Sequence, residues 1–191
     1  MKVIALNGSP HKKGNTFHLL KTVCDELKAE GIKTEIIQLP PLKLEPCVVC
    51  MKCAKKKDKH CHGVKDGLND LLDKVWEADG ILVGTPTWFA NPSGHVKNFV
   101  DRCGFISRVN GFTLNRKVGA AVVAVRRAGA VPAMDAVNRM FQINGSIIPC
   151  GTYWNMGMGL APGDCLKDEE GIGTMKSLGQ NMAWLLKKLA V

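Results

Sequence analysis

The hydrophobic residues of this chain form short apolar runs that alternate with longer amphipathic stretches. The runs predict five strands, and the amphipathic stretches predict five helices. The predicted strands cover 2–7, 33–39, 80–84, 118–125 and 146–149. The predicted helices cover about 16–30, 66–78, 93–107 and 132–144, with a last one beginning near residue 168. Because the strands are apolar throughout rather than at every second residue, we expect both of their faces to be buried.

Strands that alternate with helices predict a doubly wound α/β fold, with a five-stranded parallel sheet covered by helices on both faces. Right-handed crossovers make 2-1-3-4-5 the most economical strand order. Ligands of such sheets bind beyond the carboxyl ends of the strands, near the switch point between strands 1 and 3. The 191 residues fit a single domain over 1–191, with a cysteine-rich insertion at about 42–65 after strand 2.

The loop after the first strand is rich in short polar side chains and reads Asn-Gly-Ser-Pro-His-Lys-Lys-Gly-Asn-Thr over residues 7–16. A helix follows, and the free N–H groups and dipole of its first turn favour an anion. The glycine spacing fits neither a Walker A loop nor G-x-G-x-x-G, so we expect a terminal monophosphate such as that of FMN. An ordinary capped turn is the alternative. The candidate residues are Ser9, His11, Lys13, Gly14, Asn15 and Thr16.

Two further loops are expected at the same edge of the sheet. After strand 3, two adjacent aromatic residues could stack on a planar ring, or could instead fill the core or a subunit interface. After strand 4, an arginine could stabilise negative charge on a reduced flavin, or could simply be solvated. The candidates in these loops are Pro86, Thr87, Trp88, Phe89, Asn91, Arg126, Arg127 and Gly129.

Four of the eight cysteines fall within 15 residues, at Cys47, Cys50, Cys53 and Cys61. Three cysteines at two-residue spacing and a fourth farther on supply the four thiolates that a [4Fe–4S] cluster requires. Zinc is the alternative metal, since His60 and His62 flank the fourth cysteine. A loop that binds no metal is the third possibility.

The net charge of +9 is concentrated in the same segment, where residues 47–65 contain six lysines and one acidic residue. These lysines could offset the charge of a cluster and present a basic face to an acidic electron carrier, or could be solvated surface residues. The segment has no Phe, Trp, Tyr or Arg, so we expect no nucleic-acid binding. We find neither a signal sequence nor a run of 18 apolar residues, and expect a cytoplasmic protein without membrane contact.

The first loop resembles the FMN phosphate loop of the flavodoxin-like NADPH-dependent FMN reductase superfamily. That superfamily has a second motif, Pro-x-Tyr-x5-Gly-x2-Lys-x3-Asp-Arg, in which this chain has Trp88 in place of the tyrosine. His11 stands where an arginine is usual. The matching positions of the second motif are Pro86, Gly94, Lys97, Asp101 and Arg102. The resemblance implies a flavodoxin-like fold with FMN, its phosphate on Ser9, Asn15 and Thr16 and its ring near residues 86–91.

The cysteine spacing on such a frame resembles the iron-sulfur flavoproteins of anaerobic archaea and bacteria. This resemblance implies FMN and a [4Fe–4S] cluster, a homodimer or homotetramer, and ferredoxin or another small carrier as electron donor. We therefore expect an FMN-dependent oxidoreductase that transfers electrons between cluster and flavin. The alternatives are an NAD(P)H-dependent FMN or quinone reductase with a structural cysteine loop, and a zinc-stabilised binding module without enzymatic activity.

Overall fold

The computed structural model describes residues 1–190 as an α/β fold built on one twisted parallel sheet. The strands are β1 (Lys2–Asn7), β2 (Lys33–Gln38), β3 (Gly80–Trp88), β4 (Asn91–Pro92), β5 (Val118–Val125) and β6 (Met156–Met158). The helices are α1 (Asn15–Ala29), α2 (Lys52–Lys56), α3 (Leu68–Glu77), α4 (Gly94–Val109), α5 (Ala130–Ile143) and α6 (Glu169–Leu189).

The parallel strands lie in the order β2-β1-β3-β5-β6, which confirms the predicted 2-1-3-4-5 arrangement. Strand β4 is a short addition that pairs antiparallel with the end of β3. In the register of the sheet, Asn7 at the end of β1 lies between Gln38 and Gly84. The carboxyl ends of these three strands therefore meet at one edge.

Both faces of the sheet are covered, as the continuous apolar strands predict. Val3 and Ala5 point into a core formed with α1 and α6. Ile4 and Leu6, which alternate with them, point into a second core formed with α3, α4 and α5. Successive side chains of a strand point to opposite faces, so one apolar run supplies both cores.

The expected fifth strand over 146–149 is wrong in its position. Ile147 makes only an isolated parallel bridge to Val118, and the chain rejoins the sheet at β6, beside the end of β5. Pro149 has no N–H to donate to a strand ladder. The intervening residues leave the sheet in a loop, in which the Gly151 N–H donates to Asn155 Oδ1 at 3.1 Å.

The cysteine-rich segment runs between β2 and α3 and contains one feature that the sequence did not predict, the short helix α2. It is tied down at its start by Asn98 of α4, whose Nδ2 donates to the carbonyl oxygen of Leu44 at 2.7 Å. None of the helices in residues 1–190 has the length and apolar character needed to cross a membrane.

Candidate functional site

The loop between β1 and α1 ends in a helix start that is open to a ligand. Gly14 precedes α1 in an extended conformation, and no side chain within residues 1–190 caps this helix. Thr16 is almost completely buried in the first turn, and the buried Ser9 accepts a hydrogen bond at its Oγ from the His11 N–H at 3.2 Å. The first N–H groups of the helix are thus left for an anion.

Gly8 brings this loop into contact with the neighbouring strand and with α4. Its N–H donates to the Gly84 carbonyl at 2.9 Å, and its carbonyl accepts from Ser93 Oγ at 2.8 Å. A Cβ at this position would lie 2.1 Å from Cγ2 of Val96, so only glycine fits. The close approach fixes where the loop crosses the sheet edge.

Asn15 joins the same helix start to a loop more than 140 residues away. Its side-chain oxygen accepts hydrogen bonds from the N–H groups of Gly163 at 2.9 Å and of Cys165 at 3.3 Å. The glycine-rich loop between β6 and α6 is thereby held over the phosphate loop.

The three strand-to-helix loops and the glycine-rich loop enclose a cleft of about 260 Å³ at the carboxyl ends of β1, β3 and β5. Eight of the candidate residues line it: Ser9, His11, Gly14, Asn15, Thr16, Pro86, Thr87 and Arg126. The sequence did not single out the other lining residues, Ala124, Val125, Gly159, Leu160 and Pro162. Gly159, Leu160 and Pro162 belong to a run of small residues and prolines that follows a strand the sequence did not predict. No sequence pattern could therefore place them at this cleft.

The remaining candidates of the flavin site do not line this cleft. Lys13 and Asn91 are exposed, Trp88 is about half exposed, and Phe89 is fully exposed with a left-handed backbone (φ 48°). Two further candidates border a neighbouring depression of about 210 Å³ together with Trp154. These two are Arg127 and Gly129.

The second candidate site is a cavity of about 200 Å³ between the cysteine-rich segment and α4, here called the cysteine cavity. All four predicted metal ligands line it, namely Cys47, Cys50, Cys53 and Cys61. Apart from Asp101, Arg102 and His62, the rest of the wall is apolar or backbone, and includes Val48, Val64, Phe105 and Ile106. The four cysteines that the sequence spacing grouped therefore lie around one cavity.

The two parts of the cysteine-rich segment pack tightly against each other around this cavity. A Cβ on Gly63 would lie 2.5 Å from Sγ of Cys50, so the absence of a side chain lets the fourth cysteine's loop close over the first three. Between the cysteines, Val49 and Met51 have left-handed backbones with φ of 50° and 59°. Such a conformation is unfavourable for a β-branched residue, and strain of this kind concentrates at functional sites.

The base of the segment is closed by a buried ion pair. Arg102 of α4 donates through both terminal nitrogens to the carboxylate of Asp66, with Nη2 to Oδ1 at 3.2 Å. Nη1 also donates to the Glu45 carbonyl at 3.1 Å, and the Glu45 N–H donates to Asp66 at 3.0 Å. The ion pair and its hydrogen bonds thus connect Glu45 and Asp66, which precede and follow the four cysteines in sequence, to helix α4.

Two of the cavity thiols, Cys61 and Cys53, have pKa values that are shifted in opposite directions. Burial opposes ionisation of Cys61, but the nearby positive Arg102 guanidinium and the N–H groups of Gly63 and Val64 outweigh it and lower its pKa. Burial, with a contribution from the nearby thiols of Cys61 and Cys50, raises the pKa of Cys53.

The core cysteines lie outside the cavity and are held protonated. Burial raises the pKa of Cys24 to about 11, and it raises that of Cys103 further. Burial together with nearby carboxylates raises the pKa of Cys165 to about 11. These three cysteines do not line the cysteine cavity and are not candidate ligands there.

The four cysteines of this cavity are its candidate metal ligands. Within residues 1–190, no three His, Cys, Asp or Glu side chains converge as a mononuclear site requires. The flanking histidines are engaged elsewhere, with Nε2 of His60 at 2.8 Å from Asp73 and Nε2 of His62 at 2.8 Å from Asp58. Four thiols spread around one cavity fit a cluster, in which each iron takes its own thiolate.

Comparison with known proteins assigns the family. The sequence model of the NADPH-dependent FMN reductase family matches residues 1–160. The chain belongs to this family. An iron-sulfur flavoprotein of Methanocaldococcus jannaschii is 37% identical over 194 residues, which cover 98% of each chain. Another from Archaeoglobus fulgidus is 33% identical over 196 residues, covering 95% of this chain and 94% of the relative. Within the FMN reductase family, the chain thus groups with the iron-sulfur flavoproteins.

Among solved structures, RosB with bound 8-demethyl-8-formylriboflavin-5'-phosphate superposes with a TM-score of 0.78 at 18% identity. The match covers all of this chain and 80% of RosB, and it supports the flavodoxin-like fold. As a member of the FMN reductase family, the chain is an FMN-dependent oxidoreductase with a redox role. The predicted fold and enzyme class are therefore confirmed.

Proposed function

We propose that this chain transfers electrons between a [4Fe–4S] cluster in the cysteine cavity and FMN in the cleft. The observation that carries the proposal is the convergence of Cys47, Cys50, Cys53 and Cys61 on one cavity of a flavodoxin-like frame. Bound FMN accepts electrons singly or in pairs, whereas a bound cluster passes them one at a time. The chain supplies the positions and the electrostatics of both sites.

The FMN phosphate would be held at the start of α1. Ser9 and Thr16 would donate their hydroxyl groups, and the free N–H groups of the first turn would complete the site. Asn15 would hold the glycine-rich loop over the phosphate by accepting the hydrogen bond from the Gly163 N–H. Gly159 and Leu160, which line this end of the cleft, would limit the access of water to it.

The flavin ring would occupy the part of the cleft between β3 and β5. Pro86 and Thr87 border it on one side and Arg126 on another. Thr87 Oγ1 donates to the Ala124 carbonyl at 3.1 Å, which fixes the two loops relative to each other. A positive charge at Arg126 would favour the negative charge that develops on a reduced flavin.

The cysteine-rich segment leaves the sheet at β2, the outer strand, whereas the cleft lies over the central strands. We propose a homodimer or homotetramer in which the cavity of one subunit serves the flavin of a neighbour. Exposed apolar side chains at the two sites support this, with Val48 and Val49 at the cavity and Phe89 beyond the cleft. Such side chains are typical of surfaces that another subunit covers.

Ferredoxin or another small acidic carrier is the proposed electron donor. All six lysines of residues 47–65, the segment that carries the four cysteines, are exposed. A concentrated positive surface steers an acidic partner and speeds its association, and the effect weakens as salt increases. The lysines are 52, 55, 56, 57, 59 and 65.

A second candidate is NAD(P)H-dependent reduction of FMN or a quinone, with the cysteine segment in a structural role. The family match over residues 1–160 favours it. In this alternative, a nicotinamide would stack directly on the flavin and the cysteines would not carry electrons.

Rapid anaerobic mixing distinguishes the two candidates. The oxidised protein is mixed with reduced ferredoxin or with NADPH, and flavin bleaching is followed by absorbance. We expect fast bleaching by ferredoxin that slows at high salt, and slow bleaching by NADPH. Rapid reduction by NADPH that persists in a Cys50→Ala variant, together with no reaction with ferredoxin, would establish the second candidate instead.

A further inference from the structure

Arg102 is the largest fully buried side chain of the described residues, although it carries a permanent charge. Helix α4 places it under the cysteine-rich segment, and only 2% of its surface is exposed. A charge this deep is normally paired and fully hydrogen-bonded, because leaving a buried charge uncompensated is expensive. The hydrogen-bond partners of its individual nitrogens therefore indicate which groups surround Arg102 in the working protein.

The terminal nitrogens of Arg102 are accounted for. Nη1 and Nη2 donate to the carboxylate of Asp66, and Nη1 also donates to the Glu45 carbonyl. Nε is different, because it is buried and has no hydrogen-bond partner within residues 1–190. The same residue lines the cysteine cavity together with Cys61. The missing acceptor is thus expected among the contents of that cavity.

We propose that Arg102 is a positioning residue for the cluster, with its Nε–H donating to a sulfur held in the cysteine cavity. Hydrogen bonds to sulfur and nearby fixed charge are two of the means by which a protein sets the reduction potential of a cluster. Both favour the reduced state, which is the more negative one. Arg102 therefore raises the potential of the cluster. The inference rests on the proposed function, because it requires a cluster in the cavity.

A purely structural role would leave part of this arrangement unexplained. The ion pair with Asp66 alone closes the base of the segment and needs only the terminal nitrogens. It gives no reason for a buried donor without an acceptor beside a cavity lined by four thiols. Lysine could supply a charge at this depth, but it could not hold a carboxylate with a two-pronged contact and donate elsewhere from a third nitrogen.

The test measures the midpoint potential of the cluster by EPR-monitored titration of the complete protein, with the flavin potential as internal control. Removing Arg102 alone would leave the Asp66 carboxylate buried and unpaired, and its uncompensated negative charge would itself lower the cluster potential. The informative comparison is therefore Asp66→Asn against the double variant Arg102→Gln/Asp66→Asn. We expect Asp66→Asn to raise the cluster potential and the added Arg102→Gln to lower it again, with the flavin potential unchanged.

Arg108→Gln is the matched control, since Arg108 lies farther along α4, is exposed and does not line the cavity. Its cluster potential should equal that of the wild type. Loss of iron from the double variant but not from Asp66→Asn would also support the proposal, because it shows that the arginine holds the cluster.

Equal cluster potentials in Asp66→Asn and the double variant would overturn the proposal, as would equal loss of iron from both. If the double variant does not fold, Arg102→Lys decides, because it keeps a charge for Asp66 and loses Nε–H. A wild-type cluster potential in that variant overturns the proposal, and a lowered one supports it. A wild-type protein without iron would instead refute the proposed function on which the inference rests.

Discussion

The side-chain oxygen of Asn15 accepts a hydrogen bond from the N–H of Gly163 at 2.9 Å, across 148 residues of sequence. Asn15 is the first residue of α1, and Gly163 lies in the loop that closes the cleft from the opposite side. A residue expected to bind phosphate directly therefore has a second task, which is to position the loop opposite the phosphate.

Replacing Asn15 by alanine should weaken both the fold and FMN binding. The N–H groups of Gly163 and Cys165 would lose their acceptor, and unpaired buried donors cost about 1–3 kcal/mol. We expect a lower melting temperature and FMN affinity reduced roughly tenfold or more, the factor that corresponds to about 1.4 kcal/mol. Calorimetry of the flavin-free protein and fluorescence titration with FMN measure the two effects.

Asn15→Asp is the matched variant, because a carboxylate keeps the acceptor and is favourable at a helix start. It should retain the stability of the flavin-free protein but bind FMN weakly, since it places negative charge beside the phosphate. Wild-type FMN affinity in Asn15→Asp would show that the phosphate does not bind here.

Cys50→Ala should abolish iron binding and leave FMN binding intact, because the cysteine cavity and the cleft are built from different loops. Cys150→Ala is the control, since Cys150 is also exposed but does not line the cavity. Iron, sulfide and flavin are measured after anaerobic purification. Equal iron content in the two variants would contradict the assignment of Cys50 as a ligand.

Gly63→Ala should also reduce the iron content, although it removes no ligand. The new methyl group would lie 2.5 Å from Sγ of Cys50 and must displace it. Gly173→Ala serves as control, because a Cβ there meets no neighbouring atom, and alanine should stabilise α6 by about 0.5–1 kcal/mol. Full iron occupancy in Gly63→Ala would mean that the loop around the cysteines is less tightly packed than described.

The Arg102–Asp66 pair should make stability depend on pH in the acid range. Burial opposes ionisation of Asp66, but hydrogen bonds from Arg102 and from two backbone N–H groups outweigh it and hold its pKa below the ordinary 3.8. A carboxyl group with a lowered pKa in the folded state stabilises the fold above its ordinary pKa. This stabilisation is lost as the pH falls through the lower, folded-state value.

Asp66→Asn should therefore lower the free energy of unfolding by about 3 kcal/mol at pH 7, the usual effect of breaking a buried pair. The difference from the wild type should shrink as the pH falls below 3.8. Urea unfolding in a Cys50→Ala background measures this without interference from acid loss of iron. A difference that stays constant down to pH 3 would contradict the lowered pKa.

The sequence predicts those parts of the molecule that depend on local pattern. Residues 3–6 are apolar without interruption and form a strand buried on both faces, and the amphipathic stretch predicted over 93–107 forms α4. The spacing of the cysteines likewise identified the four thiols that share a cavity. In these cases, neighbouring residues determine the structure by their size, polarity and hydrogen-bonding groups.

The parts that the sequence did not predict depend on distant contacts. The fifth strand lies at Met156–Met158 because that segment pairs with the end of β5, which no local pattern shows. Gly159 lies at the cleft because Asn15 holds the loop that contains it, through the hydrogen bond from the Gly163 N–H. The left-handed backbone at Phe89 and Ala90, which turns the chain sharply after β3, was likewise not predicted from the sequence. Such turns depend on backbone conformation more than on side-chain type.

In the proposed function, one chain holds both a flavin site and a four-thiolate cluster site. The content of iron, acid-labile sulfide, zinc and FMN in anaerobically purified protein tests this. We expect about four irons, about four sulfides and about one FMN per chain, as a single [4Fe–4S] cluster and one flavin require. Protein with FMN and stoichiometric zinc but neither iron nor sulfide would contradict it.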